Sequence, residues 1–156
     1  MQRYNLFEQV HTALQDALFI GAQSLRQAPA LQEKENGTWD NIKATVESCQ
    51  RLMQAKETTV LPAVDVFEPA IADALLQQHH QAAALAQKLQ PLLQKPAEPH
   101  LAPLYKQYLC AQLQCLFKSE QMLNPVLWYY YTDKELQQME PPLKNATRLL
   151  GDRMMD

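Results

Sequence analysis

The chain has 156 residues, 47% of them apolar and 20% charged, with a formal net charge of −3. That length fits one domain with a core large enough to need no staples, and charges of both signs are interspersed, which leaves no basic footprint for nucleic acid. No apolar run reaches the roughly 18 residues of a membrane span, and MQRYNLFEQV has no apolar core of a signal peptide, so the expected setting is the cytoplasm.

Three glycines and an abundance of Leu, Ala and Gln favour helix throughout, and the expected class is all-α. Apolar residues recur at helical spacing in four long segments. The first runs from Tyr4 to about Gln27, with Phe7, Val10, Leu14, Leu18, Gly21 and Leu25 on one stripe. After the polar connection QAPALQEKENG, Thr38 is the expected N-cap of a second helix reaching Phe67 through Ile42, Val46, Cys49, Met53 and Val60, bent or ended at Pro62. Pro69 opens the third helix, where a missing N–H costs little, and Pro91 breaks it near its end at Gln94. KPAEPHLAP is a linker, with His100 solvated. The fourth helix runs from about Leu101 to Tyr131 through Tyr105, Leu109, Gln112, Leu116, Leu123 and Leu127, kinked at Pro125. Thr132 and Glu135 fit a capping box for a short fifth helix, TDKELQQME, and PPLKNATRLLGDRMMD reads as a separate, Pro-opened terminal helix. Four amphipathic helices with short connections argue an up-down-up-down four-helix bundle over residues 1–131, with a helical extension packed on it over 132–156.

Cys49, Cys110 and Cys115 form no C-x-x-C pair and are odd in number; they read as reduced, buried thiols acting as small hydrophobes. The run Trp128, Tyr129, Tyr130, Tyr131 reads as packing the junction between bundle and extension.

The stripe of helix three passes through Leu75, Ala82, Ala86 and Leu89, with His79 in its middle and His80 about 100° round on the flank. His11, four residues after Phe7 and three before Leu14, also points inward. Two inward imidazoles on different helices serve either a metal site across the core or two neutral core histidines, and spacing leaves both readings open. An iron or manganese pair would also need carboxylates. The candidates are Glu57 and Glu120, which share an internal echo. KETTVLPAV and SEQMLNPVL each place a glutamate five residues before a proline. Each glutamate lies about 60° off its stripe centre, whereas Lys56 and Ser119 lie closer to it. A lysine ammonium offers only donors, so a buried Lys56 needs a carboxylate partner or must lose its proton.

The segments RYNLFEQVHTAL, KETTVLPAVDVFEP, QQHHQAAALAQKL and SEQMLNPVLWYYYTDKEL resemble the hemerythrin-like bundle proteins, specifically a small bacterial group with a C-terminal extension, over roughly residues 4 to 140. The resemblance implies a two-iron site. Helices one and three would each give a histidine, and helices two and four each a histidine followed four residues later by a carboxylate. His11 and His79 match the first two. The pairs on helices two and four fall on Leu52 with Lys56 and on Cys115 with Ser119, or, one residue on, on Met53 with Glu57 and on Leu116 with Glu120. Both expected histidines are replaced in either register, and both carboxylates in the first.

The leading expectation is therefore a non-enzymatic hemerythrin-like bundle with a degenerate, metal-free core, no cofactor, and a protein partner or a small ligand in the vacated space. His11, His79, Glu57 and Glu120 remain as a residual set for one metal. The alternative is a non-heme iron protein that binds oxygen or nitric oxide or handles iron under stress. A third class, a di-iron oxidase or peroxidase, needs the full carboxylate set.

Overall fold

Apolar stripes of helical period are buried by packing helix on helix, and this chain does so along most of its length. The computed structural model describes residues 2–26, 36–94, 99–148 and 150. The connection QAPALQEKENG up to residue 35, the first four residues of KPAEPHLAP and the end of the terminal segment lie outside the described residues. All regular elements among them are helical. They are α1 (Glu8–Arg26), α2 (Asn36–Asp65), α3 (Pro69–Leu93), α4 (Leu101–Lys118), a π-helical segment (Ser119–Leu123), α5 (Asn124–Tyr130) and α6 (Asp133–Ala146). The all-α class holds. Helix α1 packs on α2 and α4, α3 lies between α2 and α4, and α6 covers α2. No helix is long and apolar enough to cross a membrane among the described residues.

Every stripe residue named from the sequence is buried, from Phe7 just before α1 and Leu14 on it to Leu123 and Leu127 beyond α4. Pro69 stands at the start of α3, and the Thr132–Glu135 capping box is fully formed at the start of α6. Boundaries differ where local polar chemistry or packing overrides the apolar pattern. The backbone N–H of Phe7 donates to Asn5 Oδ1 at 3.1 Å, a local turn that delays α1 to Glu8. Helix α2 begins at Asn36, so Thr38 sits inside its first turn rather than at its cap. The glycine at 37 costs only about 1 kcal/mol in a helix, little against the packing of a 30-residue helix.

Pro62 and Pro91 each stand within three residues of the end of their helix, near where the sequence puts a bend or break, whereas Pro141 and Pro142 open no new helix. Pro62 lies inside α2, Pro91 inside α3, and Pro141 and Pro142 inside α6, so the expected terminal helix is a continuation of α6. A proline deprives the carbonyl four residues back of its partner. Here those residues, Thr58, Gln87, Gln137 and Gln138, are all exposed, and water can take the freed carbonyls. Pro125 is different. Ser119–Leu123, which ends two residues before it and includes Glu120, winds as a π-helix, and the α-helical register resumes at Asn124. The expected kink is thus a change of helix type just upstream of the proline.

The aromatic run divides. Trp128 Nε1 donates to the Tyr4 carbonyl at 2.8 Å and the Tyr131 hydroxyl to the Ala63 carbonyl at 2.8 Å. The Arg3 guanidinium donates to Asp133 Oδ1 and to the carbonyls of Trp128 and Tyr131. These contacts tie the N-terminal segment to the junction before α6. Tyr129 and Tyr130 face outward instead. Cys110 is also exposed, unlike buried Cys49 and Cys115.

Gly21 leaves room for Tyr105 of α4 to pack against α1. A Cβ there would collide with the Tyr105 hydroxyl, which is buried and donates to the Leu18 carbonyl at 2.9 Å. Gly21→Ala should lower stability by about 1–3 kcal/mol, measured by urea unfolding, and adding Tyr105→Phe should recover part of the loss.

Candidate functional site

Both inward histidines sit at the middle of the molecule. His11 on α1 and His79 on α3 are buried, while His80 is exposed. On α2, Leu52, Met53 and Lys56 are buried and Glu57 is half-buried. Across from them Cys115, Leu116 and Ser119 are buried and Glu120 is half-buried. The central position on each of these faces thus belongs to Lys56 and to Ser119, and the glutamates stand at the edges.

Lys56 organises the centre. Its Nζ lies 2.7 Å from His11 Nε2 and donates to Ser119 Oγ at 3.1 Å. Phe7 completes the surroundings: its ring stacks on His11 with centroids 5.1 Å apart, and Lys56 Nζ stands 5.2 Å from its centre. The expected Lys56–carboxylate pairing is absent among the described residues; the imidazole takes that place. The carboxylate stands one step further out, where Glu120 Oε1 lies 3.3 Å from His11 Nδ1. Lysine, imidazole and carboxylate therefore form a chain from the interior to the half-exposed Glu120. The sequence does not reveal the Lys56–His11 contact, because the two residues lie on separate helices; its one signal is that both fall near stripe centres.

Burial sets the electrostatics. Removal from water pushes Lys56 down to about 7, against the opposing pull of Cys115, Glu120 and Cys49. Burial and then the charge of Lys56 hold His11 down to about 3, and the same two causes hold His79 at about 3, so both rings are neutral near pH 7. The contact from His11 keeps the Glu120 carboxyl below the usual carboxylate range. Burial raises Glu57.

His79 is held differently. Its Nδ1 is 3.8 Å from Glu57 Oε2, and neither ring nitrogen has a hydrogen-bond partner among the described residues. The two echoing glutamates thus each face one of the two inward histidines. A second polar group lies deeper along α4: Gln50 and Gln112 both donate to the Tyr108 hydroxyl, at 2.5 and 3.2 Å, and Gln112 Nε2 also lies 3.6 Å from Met53 Sδ. Tyr108 lies off the stripe that the sequence shows. Cys115 Sγ approaches the Gln78 carbonyl at 3.8 Å, and burial raises its thiol, which disfavours a reactive thiolate.

These residues do not fit a di-iron centre. The Nε2 nitrogen that His11 would give a metal is engaged by a lysine nitrogen instead, and a lysine that keeps its proton offers only donors. The carboxylates are divided between the two imidazoles, and among the described residues no three His, Cys, Asp or Glu side chains are grouped to hold a metal ion. No family model, no curated protein and no solved structure matches the chain.

Two stability measurements follow. An unfolded Lys56 keeps its proton up to about 10.5, whereas the folded chain releases it at about 7. Between those values the unfolded state binds more protons, so stability rises with pH. Cys49, held up to about 12 when folded, works oppositely above about 9. Wild type should therefore gain stability from pH 7 to 9 relative to Lys56→Met, whose unfolding free energy lacks this slope. Secondly, His11→Leu deprives a buried amine of its partner and should cost about 2–4 kcal/mol. His79→Leu removes unpartnered nitrogens, and denaturant melts should show it neutral or stabilising by about 1 kcal/mol.

Proposed function

We propose that the chain is a hemerythrin-like, up-down-up-down four-helix bundle whose ligand positions have been refilled, and that it acts as a non-enzymatic binding or sensory module in the cytoplasm. The observation that carries this reading is Lys56, wholly buried with its nitrogen on His11 and Ser119. In the first of the two registers it lies on the helix-two position that the resemblance assigns to a metal-binding carboxylate. A lysine there occupies the imidazole that would bind a metal, and in its protonated form it also repels a metal cation.

The same chain supplies a means of sensing. Glu120 and His11 line a cleft of about 480 Å³ between α1 and α4, together with Glu8, Gln15 and the exposed Phe117. A ligand that draws the Glu120 carboxylate away from His11 changes the polarity felt by Lys56 one hydrogen bond further in. It needs no cofactor and no bond-making step. Free thiols at Cys49, Cys110 and Cys115 accord with a reducing compartment.

Metal analysis tests this reading. Protein purified from iron-replete cells, and again after incubation with ferrous iron without oxygen, should hold far less than one iron per chain. Stoichiometric iron that is lost in His79→Ala would instead establish the non-heme iron alternative.

A further inference from the structure

Three exposed aromatic side chains meet where the α2–α3 turn contacts α5, Phe67, Tyr129 and Tyr130, and Val66, also exposed, precedes Phe67 in the chain. Val66 is 73% and Tyr129 81% exposed. Contiguous exposed apolar side chains mark interaction surfaces, whereas scattered single ones are the norm for a monomer.

The cluster is ordered from beneath. The Phe67 and Tyr130 rings stack face to face, centroids 3.8 Å apart and 5° from parallel, and Tyr129 meets Tyr130 edge-on at 4.8 Å. Tyr131, fixed to the Ala63 carbonyl, stands edge-on to Phe67 at 6.0 Å. The rings are therefore positioned before anything binds, which reduces the ordering cost of association.

Charge states what would bind. Beside the rings is a cleft of about 320 Å³ lined by Glu68, Pro125, Val126, Tyr129 and Tyr130. Glu68 supplies its one ionisable acid, and its side chain has no ion-pair partner among the described residues. The adjoining cleft, lined by Arg3, Trp128 and Asp133 among others, has a single basic group. That group, Arg3, is already used on Asp133 and on the carbonyls of Trp128 and Tyr131. Asp65, on the same turn as Phe67, is exposed. A carboxylate beside the exposed Tyr129 ring, with no free cation lining either cleft, complements a planar cation: a guanidinium pairs with the acid and lies over the ring.

We propose that the Phe67–Tyr130–Tyr129 platform and Glu68 form a docking surface for an arginine-bearing segment of a partner protein. The arginine enters the Glu68 cleft, and flanking apolar atoms of the segment cover Tyr129 and Val66. Tyrosine is among the residues that most often carry binding energy in such patches.

The test uses the full chain and two peptides, N-acetyl-Gly-Arg-Gly-Arg-Gly amide and the same peptide with citrulline for arginine. Aromatic-ring NMR shifts are followed during titration. The arginine peptide should shift Tyr129 and Tyr130 saturably, and the citrulline peptide should not. Glu68→Gln and Tyr129→Ala should each weaken binding about tenfold without changing the thermal melt, since neither side chain is buried. The proposal is overturned if the arginine peptide fails to bind, if citrulline binds equally, if the shifts fall elsewhere, or if both variants bind as wild type does. It is equally overturned if Tyr129 proves buried in a concentration-dependent self-dimer by sedimentation.

Discussion

A lysine nitrogen held in the interior by an imidazole sets the terms for the rest of this structure. Burying an unpaired ammonium is among the costliest things a fold can do, and the usual outcomes are a partner or a lost proton. Lys56 shows both. It has His11 and Ser119 as partners, and its proton is loosened to about 7. The three residues come from α2, α1 and the π-helical segment, so one small polar group fixes the register of three elements. Phe7, stacked on His11 and facing the lysine, seals the group from the N-terminal side.

The π-helical segment earns its place in the same terms. Pro125 has no N–H to give to a carbonyl upstream, and the extra residue per turn before it re-phases the apolar stripe. Ser119 and Leu123 then both lie inside, followed by Asn124 and Leu127. Asn124 Nδ2 donates to Asn5 Oδ1 at 3.2 Å, and that oxygen also receives the Phe7 N–H. The irregular winding is thus bound to the segment that carries Phe7 and, four residues on, His11. The echo between KETTVLPAV and SEQMLNPVL has a geometric counterpart, since Glu57 and Glu120 each face one buried imidazole. The halves differ at the preceding residue. Lys56 reaches across the core, while Ser119 only receives it.

Much of the architecture was legible in the sequence because burial writes a period into it. The stripes on all four long helices, the inward His11 and outward His80, the start at Pro69 and the Thr132 cap each follow from spacing and local chemistry. Pro141 and Pro142, read as opening a separate helix, misled for a definable reason. Breaking a helix depends on whether the freed carbonyl is dry, and one residue's identity does not state that; Pro62, Pro91, Pro141 and Pro142 all lie over exposed turns. At the site, sequence ranks Lys56 and Ser119 as inward and the glutamates as marginal. It does not show which long-range partner the lysine takes, because imidazole and carboxylate were both within reach of a flexible four-carbon stem. The aromatic run was likewise half legible. Trp128 and Tyr131 pack the junction, and a difference of one residue in helical phase turns Tyr129 and Tyr130 to solvent.

The most direct measurement is a pH titration of the Lys56 side-chain nitrogen by NMR with selectively labelled lysine, assigned through Lys56→Met. A midpoint near 7 is expected, with a ring nitrogen of His11 that responds in step. A midpoint near 10.5, the value of a lysine bathed in water, would show that the nitrogen lies outside the core and would contradict the account at its foundation.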